Sequence, residues 1–309
     1  MGDGREKCGE RTVIGRFQCN VCGARNESDA DVEDREQATC ARCRSSMRFR
    51  SIVLVLSRAL FGMDLGLCEF PRLKSLRGLG IGDSDVYSAR LEERFSYTNT
   101  FYHREPAFDL LRPDETEFGK YDFVICSEVL EHVPPPVDGA FHTLGRLLRP
   151  AGVLILTAPY SLASETVEHF PGLHETGLAE INGRPVLVNR AGNGRYEVFD
   201  DLAFHGGRGF TLEMRVFSEA DIRGRLARAG FAKVRFETAG NRNFGIVFAN
   251  PCSLPIIATR EAFSLGVSGI GELAEQLAAA RALLKAVSES RWLQLGRLFG
   301  LGPKIPFPL

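Results

Sequence analysis

Four cysteines near the start of the chain have a spacing that favours metal binding. They form two Cys-x2-Cys pairs, Cys19 with Cys22 and Cys40 with Cys43, separated by seventeen residues. Two residues between cysteines let one tight turn present both thiolates, and a tetrahedral Zn²⁺ takes four thiolates at about 2.3 Å. Because four thiolates leave no open coordination position, the pattern predicts a structural zinc ribbon rather than a catalytic or redox centre.

A second chemically suggestive stretch is a cluster of glycines at residues 77–85, which reads RGLGIGDSD. It follows a short apolar run that can form a strand. Closely spaced glycines after a strand let the backbone approach a ligand where a side chain would clash. Glycine-rich turns are common, so the weight of this cluster comes from the segments that follow it.

Strand-like and helix-like segments alternate after the glycine cluster. Residues 121–126 and 153–158 are near-continuous apolar runs, which are typical of strands buried on both faces. Residues 95–102 are rich in aromatic and β-branched side chains, residues 137–148 have helical periodicity, and residues 149–152 are predicted to be a turn. The alternation predicts an α/β fold with a doubly wound, mostly parallel sheet, whose ligands lie beyond the carboxyl ends of its strands.

Three segments resemble motifs of class I S-adenosylmethionine-dependent methyltransferases, the type 11-like members in particular. Residues 79–84 are similar to the first motif, residues 121–133 to the fourth-strand motif, and residues 147–156 to the helix, turn and fifth strand that follow. Their order and spacing also match. The resemblance implies a Rossmann-like, seven-stranded sheet, S-adenosyl-L-methionine as cofactor, and methyl transfer as the activity.

The resemblance also implies residue roles. Gly80 and Gly82 would let the backbone approach the methionine moiety, Asp109 lies where the family often places an acid for the adenine amine, and Ser127 and Glu128 would face the sulfonium and the acceptor. The cofactor-binding residues predicted in this way are Gly80, Ile81, Gly82, Asp83, Asn99, Asp109, Leu110, Ser127 and Glu128.

Two positions depart from the family pattern. Gly78 stands where the family often has an acid, and the end of the second strand has no carboxylate for the ribose hydroxyls. Asn99 or Thr100 could serve there as neutral partners, and Glu105 is a later candidate. These departures keep open the alternative of a binding module that has the methyltransferase fold without catalysis.

An insert at about residues 160–212 breaks the alternation and is expected to form the acceptor pocket. Methyl transfer to oxygen needs a general base, and the catalytic candidates are His205, His169 and His132. His132 could instead shape its loop. A metal site built from His169 and His174 lacks a third ligand. We therefore expect a small-molecule or saccharide acceptor, with transfer to an oxygen.

The predicted domain organisation has three parts: a zinc ribbon and linking helix at 1–60, a methyltransferase domain at 61–260, and a helical tail at 261–309. One face of the tail helix is apolar, which favours packing on the core or on a second subunit in a homodimer. A helix lying on a membrane surface is the alternative.

Charge and hydropathy limit the classes of partner. The formal net charge of the 309 residues is −1, which gives no general case for a nucleic-acid or membrane partner. The N-terminus is polar and the longest apolar runs are too short to span a bilayer, so we expect no membrane span and a cytoplasmic location.

A local basic run keeps a nucleic-acid partner as an alternative. Arg42, Arg44, Arg48 and Arg50 could contact phosphate or cap the next helix, so the ribbon could hold RNA for an RNA methyltransferase. Acidic residues at 27–36 argue against a large RNA footprint, and this alternative is not favoured.

Overall fold

The computed structural model describes residues 13–31, 34–202, 204–205, 211–292 and 295. The helices are α1 (Met47–Phe61), α2 (Asp85–Arg94), α3 (Asp138–Leu147), α4 (Glu219–Arg228) and α5 (Val267–Ser288). The strands are β1 (Val13–Gln18), β2 (Arg25–Asp31), β3 (Leu73–Ile81), β4 (Phe95–Thr100), β5 (Tyr121–Ser127), β6 (Leu148–Thr157), β7 (Tyr160–Ser161), β8 (Val167–Glu168), β9 (Glu175–Ile181), β10 (Arg184–Arg190), β11 (Tyr196–Phe199), β12 (Phe204–His205), β13 (Thr211–Leu212), β14 (Arg215–Ser218), β15 (Lys233–Phe236) and β16 (Ile256–Thr259).

The central sheet has the strand order β15-β16-β6-β5-β3-β4. Strands β4, β3, β5 and β6 are parallel, and β16 is antiparallel to both of its neighbours. The predicted doubly wound, mostly parallel sheet is therefore confirmed. The carboxyl ends of β3, β4, β5 and β6 lie at one edge, where the glycine cluster and the fourth-strand motif both end.

Two details of the predicted sheet are wrong. The sheet has six strands in the described part of the chain, not seven. After β4 only an isolated bridge forms, between Phe101 and Ala107, because Pro106 has no N–H to donate to a ladder. The turn predicted at residues 149–152 lies inside β6, whose pairing with β5 shifts register between Tyr121 and Phe123.

Both faces of the sheet are covered, as the apolar runs predicted. On β5, Val124 and Cys126 face a cluster formed with α3 and α4, while Phe123 and Ile125 face a cluster formed with α1 and α2. Successive residues of a strand point to opposite faces, so a run that is buried throughout requires a layer on each side.

The N-terminal ribbon packs on the second of these layers. Strands β1 and β2 form an antiparallel hairpin, and Phe17 and Val21 belong to the same apolar cluster as α1 and the sheet. Helix α1 begins after Ser46, whose side chain accepts a hydrogen bond from the N–H of Phe49, and it ends at Gly62 with φ 70°. The ribbon therefore shares a core with the sheet.

The insert forms small sheets of its own. Strands β9, β10 and β11 make one antiparallel sheet, and β12 pairs with β13. Strand β14 lies between β7 and β8. Phe170, Leu187 and Leu212 form the centre of a separate apolar cluster under the insert. This cluster gives the insert a core distinct from those of the central sheet.

The first part of α5 is attached to β3 and the residues before it. Glu272 accepts hydrogen bonds from Ser75, and Gln276 exchanges hydrogen bonds with the backbone of Arg72. Farther along, Leu277 and Leu284 are more than half exposed, so the predicted apolar face does not pack on the core along its whole length. Among the helices of the described residues, none is long and apolar enough to cross a membrane.

Candidate functional site

The four predicted metal ligands converge. The Sγ atoms of Cys19, Cys22, Cys40 and Cys43 all lie within 4.8 Å of one another. The Cys19–Cys43 separation is 3.7 Å and the Cys22–Cys40 separation is 3.6 Å. A tetrahedral zinc ion with bonds of about 2.3 Å would hold thiolates about 3.8 Å apart. The geometry therefore fits a four-thiolate zinc site.

Both knuckles of this centre are built in the same way. The N–H of Gly23 donates to the carbonyl of Cys19 at 2.7 Å, and the N–H of Arg44 donates to the carbonyl of Cys40 at 3.0 Å. Both residues have positive φ, 75° for Gly23 and 62° for Arg44. Each Cys-x2-Cys turn thus ends with a left-handed residue, which aims both thiols of the pair toward one point.

Arg50 lies beside the cysteines and is fully buried. Its Nη1 donates to Thr39 Oγ1 at 2.8 Å and to the carbonyl of Ser45 at 3.0 Å, while its Nη2 donates to the carbonyl of Gly245 at 2.9 Å. It forms no ion pair with a carboxylate among the described residues. Burial lowers the pKa of Arg50, and negative charge on the nearby cysteines opposes that effect. A buried cation requires a nearby anion, so the buried Arg50 favours thiolates over thiols at the four cysteines.

The glycine cluster ends β3 and is closely packed. A Cβ atom on Gly80 would stand 2.6 Å from Asp83 Oδ2 and would also overlap the hydroxyl of Tyr97. Gly82 has φ 73°, and its N–H donates to the carbonyl of Thr100 at 2.8 Å. This is the cradle that the sequence pattern predicts at the end of a strand, where backbone replaces side chains.

The side chain of Asp83 points into the protein interior. Its carboxylate is buried and accepts hydrogen bonds from the hydroxyls of Tyr87, at 2.7 Å, and of Tyr97. Burial raises the pKa of Asp83 to about 7, although the two tyrosine hydrogen bonds lower it. The Asn99 carboxamide brackets the backbone of Asp83, accepting from its N–H at 3.0 Å and donating to its carbonyl at 2.7 Å. Asn99, on β4, therefore holds the loop that follows β3 in place.

Ser127 is the last residue of β5 and Glu128 is the residue after it, so both lie at the carboxyl end of that strand. Ser127 Oγ is 2.9 Å from Thr157 Oγ1 at the end of β6. Glu128 has φ 55°, an uncommon conformation for a residue with a side chain, which is often found at functional sites. Its Oε1 is buried and has no hydrogen-bond partner among the described residues. A ligand donor could satisfy that oxygen.

Two ribbon arginines reach this end of the sheet, and neither was among the predicted site residues. Arg48 Nη1 donates to Ser127 Oγ at 2.7 Å, and Arg35 Nη2 donates to Glu128 Oε2 at 2.9 Å. The basic run after the second cysteine pair contained Arg48, and its two proposed roles were phosphate contact and helix capping. Nothing in the sequence near Arg35 indicates its partner 93 residues away.

A cavity of about 210 Å³ opens between the ribbon and residues 247–255. Arg35 and Arg48 line it on the ribbon side. A second cavity, of about 340 Å³, lies at the end of β4, where Asn99 and Glu105 are among the lining residues. Two of the three substitutes predicted for the missing ribose carboxylate, Asn99 and Glu105, thus line one cavity, and Thr100 is not among its lining residues.

Asp109 and Leu110 have separate surroundings. Asp109 Oδ1 accepts a hydrogen bond from the N–H of Leu111 at 2.8 Å. Leu110 is buried in the cluster shared by α3 and α4. Ile81 is likewise buried in that cluster. Any contact that Ile81 or Leu110 makes with a ligand in this conformation is thus limited to the backbone or the edge of a side chain.

The histidines are attached to the insert. His132 Nδ1 donates to the carbonyl of Leu212 at 2.9 Å, and its Nε2 is 3.6 Å from Glu131 Oε1. His169 Nε2 is 3.6 Å from Glu213 Oε1 and makes no hydrogen bond within the described residues. His205 lies on β12, but its side chain is outside the described residues.

Arg215 fixes the insert to the turn that follows β5. Its side chain is fully buried, and its Nη1 donates to the carbonyls of Leu130, at 2.9 Å, and Val133, at 2.6 Å. Its Nε donates to Glu168 Oε1 at 2.8 Å. Burial raises the pKa of the neighbouring Glu131 well above its usual range, and the negative charge of Glu128 raises it further.

A comparison with protein families identifies a known domain in this chain. A family model described as a methyltransferase domain matches residues 84–235, just under half of the chain. A search of curated proteins returned no match. The family match covers α2, β4, β5 and β6 and begins after β3. The chain therefore carries a methyltransferase domain.

Solved structures give distant matches. The 1,6-didemethyltoxoflavin-N1-methyltransferase of Burkholderia thailandensis has 14% identity and a TM-score of 0.37, over 69% of this chain and 76% of that one. The amino pentose methyltransferase CalS10 of Micromonospora echinaspora has 17% identity and a TM-score of 0.38, over 71% and 94%. The sugar N-methyltransferase KedS8 of Streptoalloteichus sp. has 14% identity and a TM-score of 0.36, over 60% and 80%. Matches at this level carry no argument about the acceptor.

Proposed function

We propose that the protein transfers the methyl group of S-adenosyl-L-methionine to an oxygen of a small-molecule or saccharide acceptor. The observation that carries this proposal is the covered carboxyl end of the sheet, where Arg35 and Arg48 of the ribbon contact Glu128 and Ser127. The space left there is a cavity of about 210 Å³. A cavity of this size suits part of a small molecule and not the long basic groove that a nucleic-acid strand requires.

The ribbon offers little support for the RNA alternative. Of the four arginines in its basic run, Arg50 is fully buried and Arg48 is engaged with Glu36 and Ser127. Arg42 and Arg44 are the two that remain exposed. Arg16 and Arg25 of the hairpin are exposed as well. This small number of exposed cations, in a chain of net charge −1, would neutralise few phosphates, so a strong electrostatic affinity for RNA is not expected.

We propose that the cofactor lies over the glycine cluster and between the ends of β4 and β5. S-adenosyl-L-methionine would supply an electrophilic methyl group there. Gly80 and Gly82 would offer backbone, Glu128 Oε1 is a free acceptor, and Asn99 and Glu105 would meet the ribose in the second cavity. Asp83 would hold the loop in position beside the cofactor, since tyrosine hydroxyls occupy its carboxylate and Asn99 occupies its N–H and carbonyl.

Among the candidate bases, we favour His169. An acceptor hydroxyl must lose its proton as its oxygen attacks the methyl carbon. His169 Nε2 is a buried atom with no hydrogen-bond partner in the described part of the chain, on a side chain that is 29% exposed, and Glu213 Oε1 stands 3.6 Å away. That carboxylate would stabilise the protonated ring. His132 is only 12% exposed and its Nε2 faces the buried Glu131, which suits a loop-shaping role.

We propose that Cys19, Cys22, Cys40 and Cys43 hold a structural Zn²⁺. The support is the separation of their Sγ atoms and the buried Arg50 beside them. Four thiolates would complete the coordination, so the ion would stabilise the ribbon and take no part in methyl transfer. A homodimer through α5 also stays a prediction, and the molar mass in solution tests it.

A mass spectrum of products from a panel of saccharides, small hydroxylated molecules and RNA tests the proposed acceptor class. We expect one added methyl group on a small-molecule oxygen and none on RNA. His169→Asn should remove turnover while leaving S-adenosylhomocysteine binding unchanged, with His132→Asn and His205→Ala as comparisons. Methylated RNA with unmodified small molecules would refute the acceptor class. Full turnover in His169→Asn would refute the assignment of the base.

A further inference from the structure

The cavity at the seam between ribbon and sheet has two cationic walls. Arg35 and Arg48 both line it, and their side chains are only 24% and 15% exposed. Ser51, Asn250 and Ser253 add polar groups to the lining. Partly buried guanidinium groups are favourable partners for carboxylate and phosphate, because desolvation strengthens the interaction and the planar fork fits two oxygens.

The two arginines that line this cavity share one exposed carboxylate partner, Glu36. Glu36 Oε1 accepts from Arg48 Nε at 2.7 Å and lies 3.4 Å from Arg35 Nε. The Glu36 side chain is 50% exposed, whereas Glu128, the other carboxylate on these arginines, is 16% exposed. An exposed ion pair contributes little free energy, so a ligand anion could displace Glu36 at small cost.

The same arginines also contact the carboxyl end of β5. Arg48 Nη1 is 2.7 Å from Ser127 Oγ, and Arg35 Nη2 is 2.9 Å from Glu128 Oε2. An anion held by their remaining N–H groups would therefore lie next to the edge where the methyl group is expected. A charged group of the acceptor bound there would orient the rest of the acceptor toward that edge.

We propose that the seam cavity binds an anionic group of the methyl acceptor, a phosphate or a carboxylate, through Arg48 and Arg35 in place of the Glu36 carboxylate. The assignment of the anion to the methyl acceptor rests on the proposed function. The anion site itself rests on the cavity and its charges. Glu36 then acts as an internal stand-in that keeps the two guanidinium groups in position until the acceptor arrives.

Calorimetric titration of the zinc-loaded full chain with inorganic phosphate, and separately with acetate, tests this site. We expect saturable binding of one of the two ions, which also shows whether the acceptor carries a phosphate or a carboxylate. Arg48→Gln should raise the dissociation constant of the ion at least tenfold. Glu36→Gln should lower it by about tenfold, because the substitution removes the competing carboxylate. Arg25→Gln removes an exposed ribbon cation and should change nothing.

Several outcomes would overturn the proposal. The proposal is wrong if neither phosphate nor acetate binds to the wild type. It is also wrong if Arg48→Gln and Arg25→Gln bind the ion with equal affinity. A Glu36→Gln chain that unfolds at the wild-type temperature but gains no affinity would contradict the role of Glu36. Competition between the ion and S-adenosylhomocysteine would assign the site to the cofactor. Ion binding that follows these expectations in a chain that methylates no acceptor would refute the proposed function instead.

Discussion

Arg50 Nη2 donates to the carbonyl of Gly245 at 2.9 Å, across 195 residues of chain. The same guanidinium bonds Thr39 and Ser45 between the cysteine knuckles and lies 4.4 Å from the ring centre of Phe17. One buried cation therefore links the ribbon to the strand-connecting segment near the end of the methyltransferase domain. The ribbon is attached to the sheet through this contact as well as through shared apolar packing.

Arg50→Met should destabilise the protein by about 3 kcal/mol, because it removes the hydrogen bonds to Thr39, Ser45 and Gly245 and leaves four cysteines without a nearby cation. The measurement is the free energy of unfolding in urea, together with the rate of zinc release to a chromogenic chelator. We expect faster zinc release. Arg25→Met, at an exposed ribbon site, is the matched control, and equal stability of the two variants would contradict the role given to Arg50.

Zinc removal should loosen the carboxyl end of β5, which is distant from the cysteines in sequence. Ser127 and Glu128 are held by Arg48 and Arg35, and Arg35 lies on the ribbon segment that the metal would stabilise. Chelation, or Cys22→Ser, should therefore lower the melting temperature and increase amide exchange at residues 127–128. Unchanged exchange there in a metal-free chain would show that the ribbon holds its position without zinc. Cys68→Ser, at an exposed free thiol, is the control.

Gly80→Ala should abolish cofactor binding and destabilise the fold by about 1–3 kcal/mol. The added Cβ would meet the Tyr97 hydroxyl and stand 2.6 Å from Asp83 Oδ2, so the buried Asp83 cluster would have to move. The measurements are S-adenosylhomocysteine affinity by calorimetry and unfolding in urea. Gly177→Ala in the insert, with no atom within 4 Å of its added Cβ, should leave both unchanged. Normal affinity in Gly80→Ala would refute the cradle.

Asp83 should make stability depend on pH. Burial raises the pKa of its carboxyl group to about 7, against about 3.9 in an unfolded chain. Between about pH 4 and pH 7 the folded state holds a proton that the unfolded state has lost, so the free energy of unfolding falls as pH rises. The slope approaches about 1.4 kcal/mol per pH unit for one proton.

Asp83→Asn removes this titration while keeping an acceptor for one tyrosine hydroxyl. Urea unfolding at four pH values across that window should give a slope that is shallower by nearly one proton. Asp85→Asn is the comparison, because no tyrosine hydroxyl donates a hydrogen bond to this neighbouring residue in the described part of the chain. The assignment is wrong if the wild type and Asp83→Asn lose stability in parallel between pH 4 and pH 7.

Arg215→Met should separate acceptor chemistry from cofactor binding. The side chain holds the backbone of the turn after β5 at Leu130 and Val133 and joins it to Glu168, next to His169. We expect a loss of turnover of tenfold or more with S-adenosylhomocysteine affinity within about twofold of the wild type. Arg195→Met on the insert surface is the control. A loss of cofactor affinity equal to the loss of turnover would place Arg215 under the cofactor instead.

The sequence by itself determined the class of fold and the positions of the cysteine and glycine clusters. The spacing of four cysteines, the apolar runs of β5 and β6, and the glycines before α2 are local patterns, and local geometry is what such patterns encode. The parallel α/β sheet, the cysteine cluster and the methyltransferase domain follow from them.

Only the tertiary structure decided what surrounds those sites. Arg35 and Glu128 are 93 residues apart and Arg48 and Ser127 are 79 apart, and no local spacing links such pairs. The inward course of Arg50, the burial of the Asp83 carboxylate between two tyrosines and the six-strand count depend on which elements come to pack together. Side-chain chemistry can be read in order along the chain. The burial and partners that set its charge state are fixed only when distant segments meet.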